Sequence, residues 1–144
     1  MDAYFDSAII VKLYVQKATS PDAIRLVGAY VPPFALTHWQ ELEVKNAMRL
    51  KVFRQEITTA EMHQSIAAFE QDMVMGRWQR PTLVTATVEQ KAGELSTLPS
   101  ARLGCRTLDI IHVVAALVIG TREFITFDGR QAALARQAGL LVKP

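Results

Sequence analysis

The chain has 144 residues, of which 50% are hydrophobic and 21% are charged, and its formal net charge is +2. This composition excludes a disordered or fibrous protein and is typical of one globular domain with a substantial core. So small a net charge permits a polyanionic partner without indicating one.

The cysteine content and the first residues indicate the cellular compartment of the protein. Cys105 is the single cysteine, which excludes an intramolecular disulfide and a cysteine-rich zinc site and favours a reducing compartment. Asp2 and Asp6 stand where a signal peptide would carry Lys or Arg. The apolar run at residues 113–119 lies in a helical pattern of about 13 residues, too short to cross a bilayer. We therefore expect a cytoplasmic protein with no membrane span.

Short apolar runs alternate with helical patterns along the chain. This alternation predicts an α/β fold with a central, mostly parallel sheet flanked by helices. No repeat or linker-like segment interrupts it, so we expect residues 1–144 to form a single domain. Strands are predicted at residues 3–5, weakly at 30–31, and at 82–85, 123–127 and 140–142.

One helix has a clear beginning and a clear inward face. Thr58 and Glu61 have the spacing of a capping box, which predicts a helix over residues 59–75 that ends at Gly76. The apolar residues of this segment recur at the spacing of a single buried stripe, formed by Met62, Ile66, Phe69 and Met73.

Two further helices are predicted in the last third of the chain. A second capping signature at Thr87 opens a helix to about residue 98, which Pro99 ends, and residues 96–104 read as a loop. Residues 107–119 are almost all apolar and precede Gly120, which predicts a helix that is packed on most sides.

Four acidic residues interrupt or border apolar segments, and a carboxylate is costly to remove from water without a partner. Asp6 and Asp128 each follow a predicted strand, at the sheet edge where open α/β folds bind ligands. Asp109 lies in the first turn of the helix at 107–119, and Glu43 lies in the segment 39–48. Because Mg²⁺ and Mn²⁺ prefer carboxylate oxygens and activate water, these acids indicate a divalent-metal site suited to phosphate chemistry.

Three blocks of sequence carry a resemblance. They are YFDSAIIVKLY at 4–14, ELEVKNAM at 41–48, and residues 106–139, which contain RTLDIIH at 106–112 and FITFDGRQ at 124–131. In order and spacing these blocks resemble the PIN-domain ribonucleases, in particular the VapC-type toxins of bacterial toxin–antitoxin pairs. The resemblance covers nearly the whole chain and is weakest over residues 53–102.

The resemblance implies a PIN-like fold and a metal-dependent endoribonuclease that acts as the toxin of a type II toxin–antitoxin system. It implies that Mg²⁺ or Mn²⁺ is held by an acidic quartet and activates water against RNA, with the quartet formed by Asp6, Glu43, Asp109 and Asp128. Glu43 has the family's spacing to Asn46, and Glu41 is the alternative. The expected partners are an RNA substrate, a cognate antitoxin and a second copy of the chain, the last through helices at 22–30 and 59–75.

Three residues are candidates for substrate binding. The family often has a hydroxyl or amide residue at the position of Ala8. The neighbouring Ser7 supplies a hydroxyl instead. The Thr126 hydroxyl is placed to bind a metal-associated water, and the Arg130 guanidinium is placed to bind a phosphate.

Other polar and aromatic residues favour simpler roles. His112 is expected to be a hydrogen-bonded packing residue, and Cys105 a bystander thiol. One group of basic side chains has two interpretations, a surface that guides RNA or ordinary solvated charge. The group consists of Lys45, Arg49, Lys51 and Arg54. Trp39 and Trp78 are left unassigned between packing and base stacking.

Two other classes of function compete with a nuclease. The first is an aspartate-based phosphotransferase with Asp6 as nucleophile. Such enzymes have a second Asp two positions later, and Ala8 at that position argues against this class. The second is a catalytically silent PIN-fold module that binds RNA or protein, which the same Ala8 favours.

Overall fold

A computed structural model of the chain describes residues 1–16, 20–97 and 102–144. The chain divides into two compact units, the first made of Met1–Asp6 and Pro81–Pro144 and the second of Ser7–Arg80. Strands and helices alternate and every strand pairing is parallel, so the predicted α/β class is confirmed. A single domain over residues 1–144 stays a prediction.

The first unit is built on a three-stranded parallel sheet in the order β1–β4–β5. Its strands are β1 (Ala3–Phe5), β4 (Glu123–Ile125) and β5 (Leu141–Lys143). Tyr4 lies opposite Phe124, and their rings stack with centroids 5.5 Å apart. Burial of β1 and of Phe124 and Ile125 in β4 stabilises the sheet, whereas β5 is mostly exposed.

Helices of the first unit with described bounds are α5 (Thr85–Ser96), α6 (Thr107–Ile119) and α7 (Gly129–Gln137). Helix α6 has the predicted bounds and ends at Gly120, whose φ of 80° is the left-handed conformation that glycine adopts without a steric cost. Most of α6 is buried, as predicted, although Leu108 and Leu117 remain partly exposed.

The second unit contains a two-stranded parallel sheet and four helices in its described residues. The strands are β2 (Phe34–Ala35) and β3 (Trp78–Gln79), and the helices are α1 (Ser7–Tyr14), α2 (Pro21–Gly28), α3 (His38–Phe53) and α4 (Thr59–Val74). Phe34 and Trp78 are paired across the sheet and both are buried. Their aromatic side chains therefore anchor β2 and β3 in the core of this unit.

Helix α4 confirms the predicted capping box. The Thr58 hydroxyl accepts a hydrogen bond from the backbone N–H of Glu61, and the Glu61 carboxylate accepts one from the backbone N–H of Thr58. Phe69 of the predicted stripe is fully buried. The other three members of the stripe, Met62, Ile66 and Met73, are only half-buried, so the inward face is narrower than predicted.

Two strand predictions were wrong. The weak strand at residues 30–31 is absent, and β2 begins after the two prolines, because Phe34 is buried whereas Val31 is 88% exposed. The strand at 82–85 is also absent, because the partner of β2 is formed earlier by the buried Trp78, and Thr85 begins α5.

The beginning of α5 was also predicted incorrectly. The helix begins at Thr85, two residues before the Thr87 signature, and its N-cap Val84 makes no side-chain capping bond. Ser96 belongs to α5 rather than to the predicted loop, and Pro99, with the rest of 98–101, lies outside the described residues. Among the helices described, none has the length and apolar content needed to span a membrane.

Replacing Thr58 by Ala is expected to lower the free energy of unfolding by about 1 kcal/mol, because the N–H of Glu61 loses its acceptor. Urea denaturation followed by circular dichroism measures the change. Thr59→Ala is the matched control, since Thr59 is exposed and is the first helical residue. Equal unfolding free energies for the two variants would contradict a stabilising capping box.

Candidate functional site

Asp6 and Asp128 lie where two neighbouring parallel strands end. Asp6 directly follows β1, and its backbone N–H donates to the carbonyl of Ile125 in β4 at 2.9 Å. Asp128 follows β4 after two residues and is the N-cap of α7. The prediction that both acids emerge at the carboxyl edge of the sheet is therefore confirmed.

Thr126 joins these two acids through its hydroxyl group. The hydroxyl donates to Asp6 Oδ2 at 3.0 Å and accepts from the backbone N–H of Asp128 at 2.9 Å. Thr126 and Asp6 are both buried, with 1% and 5% of their surface exposed. Thr126 therefore supplies a buried hydrogen-bond donor to the carboxylate of Asp6.

Asp128 is held by the beginning of α7. Its Oδ1 accepts hydrogen bonds from the backbone N–H groups of Arg130 at 2.8 Å and Gln131 at 3.0 Å. These groups would otherwise lack an acceptor, and the positive end of the helix dipole favours the negative charge. Asp128 therefore has a capping role as well as its place at the sheet edge.

Asp109 lies in the first turn of α6, as predicted, and only 3% of its surface is exposed. Its Oδ2 accepts from the backbone N–H of Arg106 at 2.8 Å and from the Arg106 guanidinium at 3.3 Å. Its Oδ1 accepts from the side-chain amide of Gln131 at 3.0 Å. Burial alone would raise the pKa of Asp109, but the hydrogen bonds from Gln131 and Arg106 outweigh burial and hold the pKa below its usual value.

The three acids of the first unit are thus joined by one continuous set of hydrogen bonds. The set runs from Asp6 through Thr126 to Asp128, then through Gln131 to Asp109, and we call these five residues the acidic network. In the described part of the first unit, no three His, Cys, Asp or Glu side chains form a group that could hold a metal ion. The acids are linked instead through the Thr126 hydroxyl, which accepts from the backbone N–H of Asp128, and through Gln131. The backbone N–H of Gln131 donates to Asp128 and its side chain donates to Asp109.

Gln131 is the residue of this network that sequence reasoning missed. A signal was present, because Asp128 and Gln131 have the spacing of a capping box, with an N-cap acid and Gln three residues later. The side chain does not return to the cap but reaches Asp109, 22 residues away in sequence. Its Oε1 is buried and has no hydrogen-bond partner among the described residues. An unpaired buried acceptor costs about 1–3 kcal/mol.

Arg130 and Cys105 lie beside the acidic network. Arg130 is exposed, and its guanidinium donates to the carbonyl of Gly104 at 3.5 Å, which leaves the charged group at the surface. Burial raises the pKa of the Cys105 thiol, and the negative charges of Asp109 and Asp128 raise it further. Cys105 is thus kept in its thiol form, in agreement with a bystander role.

Ser7 and Glu43 belong to the second unit. Ser7 begins α1, is 3% exposed, and its Oγ has no hydrogen-bond partner in the described part of the chain. Glu43 lies on α3 and is half-buried. Substrate binding by Ser7 and metal binding by Glu43 stay predictions from the sequence.

Glu41, the alternative to Glu43, is engaged by two cations. Its Oε1 accepts from Lys45 at 2.9 Å, and its Oε2 forms an ion pair with Arg80, while Lys45 also contacts Glu70 at 2.7 Å. Burial alone would raise the pKa of Glu41, but the hydrogen bonds and charges of Lys45 and Arg80 lower it. Glu41 therefore has a structural role within the second unit.

The remaining candidates behave mostly as packing or paired residues. His112 is fully buried and its Nδ1 is hydrogen-bonded to the Tyr4 hydroxyl at 2.8 Å, as expected for a packing residue. Trp78 is buried and donates to the Tyr14 hydroxyl at 2.7 Å, so its indole is part of the core. In the proposed basic surface, Lys45 and Lys51 are both paired with carboxylates, which reduces the positive charge available to RNA.

No match to this chain is found among models of known protein families or among curated protein sequences.

Replacing Thr126 by Val is expected to lower the free energy of unfolding by about 1–3 kcal/mol, because Asp6 and the N–H of Asp128 each lose a buried partner. Thr126→Ser keeps the hydroxyl and should retain most of the stability. Urea denaturation of both variants measures the difference, and an equal loss in both would show that the hydroxyl contributes little.

Stabilisation by Glu41 is expected to depend on pH. Because folding lowers the pKa of Glu41, its ion pairs stabilise the protein above the unfolded-state pKa of about 4.3, and this contribution is lost as the pH falls through the folded-state value. Glu41→Gln should therefore be less stable than the wild type near neutral pH, with a difference that shrinks as the pH falls below the unfolded-state pKa.

Thermal melts of the wild type and Glu41→Gln over this pH range measure the effect. Glu89→Gln removes the same charge from an exposed position of α5 and is the control. A difference that stays constant from neutral to acid pH would contradict the ion-pair role of Glu41.

Proposed function

We propose that the protein is a metal-dependent endoribonuclease with a PIN-like fold, and that it is the toxin of a type II toxin–antitoxin system. The acidic network carries this proposal, because its hydrogen bonds connect Asp6 and Asp128, which follow two parallel strands, with Asp109 in the first turn of α6. That edge is where α/β folds bind ligands.

The donor set suits Mg²⁺ or Mn²⁺. All the acids offer hard oxygen ligands, and Mg²⁺ keeps several waters while binding through only one or two carboxylates. A carboxylate oxygen has two lone pairs, so the oxygens of Asp109 that already accept N–H groups retain capacity for a further contact. The low pKa of Asp109 keeps it ionised at neutral pH, as metal binding requires.

Each residue has a defined part in this proposal. The resemblance implies that Asp6, Asp109 and Asp128 would hold the ion, with Glu43 as the fourth acid. A bound ion supplies a lowered pKa for water and neutralises charge on the phosphoryl oxygens. Thr126 orients the carboxylate of Asp6.

Glu43 is preferred to Glu41 as the fourth acid. Both carboxylate oxygens of Glu41 are already paired with cations of the second unit, Lys45 and Arg80. Drawing Glu41 out of these pairs would leave Lys45 with Glu70 alone and would remove a carboxylate from Arg80.

Substrate contacts follow from the same residues. The exposed guanidinium of Arg130 binds an RNA phosphate, for which its planar donors are suited. The Ser7 hydroxyl is buried and stays a candidate for substrate binding from the sequence alone. The cognate antitoxin binds over the acidic edge. The exposed Ile24 of α2 and Val74 of α4 supply apolar surface for a homodimer.

Purified protein is expected to cut a mixed RNA pool when Mg²⁺ or Mn²⁺ is present and to stop when a chelator removes the metal. Glu43→Gln should reduce the rate by roughly 100-fold or more, because a ligand to the ion is lost. Glu41→Gln is the matched control, since it makes the same chemical change two positions away on α3, and it should cut within a few-fold of the wild type.

Three results would change the proposal. Loss of cutting in Glu41→Gln with cutting retained in Glu43→Gln would reverse the assignment of the two glutamates. Cutting that survives in Asp109→Ala would identify a contaminating nuclease. A folded wild type that binds metal but cuts no RNA, and whose expression does not arrest growth, would refute the nuclease and favour a silent binding module.

A further inference from the structure

The two polar atoms of the Gln131 side chain have different surroundings. Nε2 donates to Asp109 Oδ1 at 3.0 Å, and an ionised carboxylate only accepts hydrogen bonds, so the nitrogen must be the atom that faces Asp109. The side chain is 4% exposed, and Oε1 has no hydrogen-bond partner among the described residues. Gln131 therefore presents one satisfied donor and one unsatisfied buried acceptor.

The unsatisfied acceptor lies within the acidic network. Because Oε1 and Nε2 share one carbon, Oε1 lies within about 5.5 Å of Asp109 Oδ1. The backbone N–H of Gln131 donates to Asp128 Oδ1, so the same residue contacts two of the three acids. A buried amide oxygen beside carboxylates is satisfied either by a ligand that donates hydrogen bonds or by a cation, and the Mg²⁺ affinity of a Gln131 variant separates the two.

Water is the smallest ligand with the required chemistry. It has two donors, which can bridge Oε1 and a neighbouring carboxylate, and buried waters in proteins commonly pair with otherwise unsatisfied polar groups. We propose that Gln131 binds a water molecule in the acidic network through Oε1 and orients it for attack on the RNA phosphorus. The catalytic part of this inference rests on the proposed function.

The orientation has a direct chemical consequence. When the two protons of the water point to Oε1 and to a carboxylate, a lone pair of the water oxygen is left to face the substrate. On attack the water oxygen forms a bond to phosphorus and the bond from phosphorus to the leaving nucleoside oxygen breaks. One proton of the water passes to solvent by way of the carboxylate, and the leaving oxygen takes up a proton from solvent.

Gln131→Met tests this role, because Met has a similar length and volume but cannot accept from the water as an amide does. At saturating Mg²⁺, kcat should fall roughly 10- to 100-fold while KM for RNA changes less than about threefold. Gln137→Met, at an exposed position of the same helix, is the matched control and should keep the wild-type kcat.

Two further measurements separate water binding from other roles. Calorimetry should give a Mg²⁺ affinity for Gln131→Met close to that of the wild type. If excess Mg²⁺ fully restored the kcat of Gln131→Met, the proposal would be overturned, because Gln131 would then act only through Asp109. A high-resolution crystal structure of the wild type should place an ordered water within about 3.2 Å of Oε1. A protein donor on Oε1, or no water there, would also overturn it.

The crystal structure keeps this inference distinguishable from the nuclease proposal. A wild type that cuts no RNA but has the ordered water on Oε1 would refute the nuclease and the catalytic role of the water while supporting the water site. If Gln131→Met cut RNA as fast as the wild type, the role of Gln131 would be refuted and the nuclease proposal would be unaffected.

Discussion

The parallel pairing of β1 with β4 is the constraint on which the acidic network depends. The bond from the Asp6 N–H to the Ile125 carbonyl fixes the register, and this register brings the Thr126 hydroxyl to the Asp6 carboxylate. Side chains alternate between the two faces of a strand, so a slip of one residue would turn Thr126 away from Asp6. The stacked rings of Tyr4 and Phe124 oppose such a slip, because they match only in the observed register. Packing in the core of the first unit thereby sets the geometry of polar groups at its edge.

Buried carboxylates are tolerated here because the fold supplies each with donors. Asp109 receives three N–H groups from Arg106 and Gln131, and Asp128 receives two from the first turn of α7. Asp6 receives the hydroxyl of Thr126. These donors offset the cost of burying charge without neutralising it, which preserves negative potential at the edge of the sheet. Structural hydrogen bonds and an affinity for cations are therefore compatible in the same side chains.

The sequence predicted those features that depend on local pattern. The bounds of α6, the capping box of α4 and the positions of Asp6, Asp109 and Asp128 follow from short apolar runs and from the residues that end them. Strands β2 and β3 were misplaced because each has two residues, too few for a periodic pattern, and only tertiary packing of Phe34 and Trp78 identifies them. Gln131 was missed for a related reason. Its spacing to Asp128 indicates a local cap, whereas its actual partner Asp109 is remote in sequence.

The acidic network joins residues from opposite ends of the described chain, since Asp6 and Thr126 are separated by 120 positions. The whole second unit, Ser7–Arg80, is inserted between them in sequence. During synthesis from the N-terminus, the second unit is complete while the partners of Asp6 have not yet been translated. A nascent chain consequently carries Asp6 without its network until β4 has been made. Whatever chemistry the network performs is thus withheld from the growing polypeptide until β4 and α7 have been synthesised.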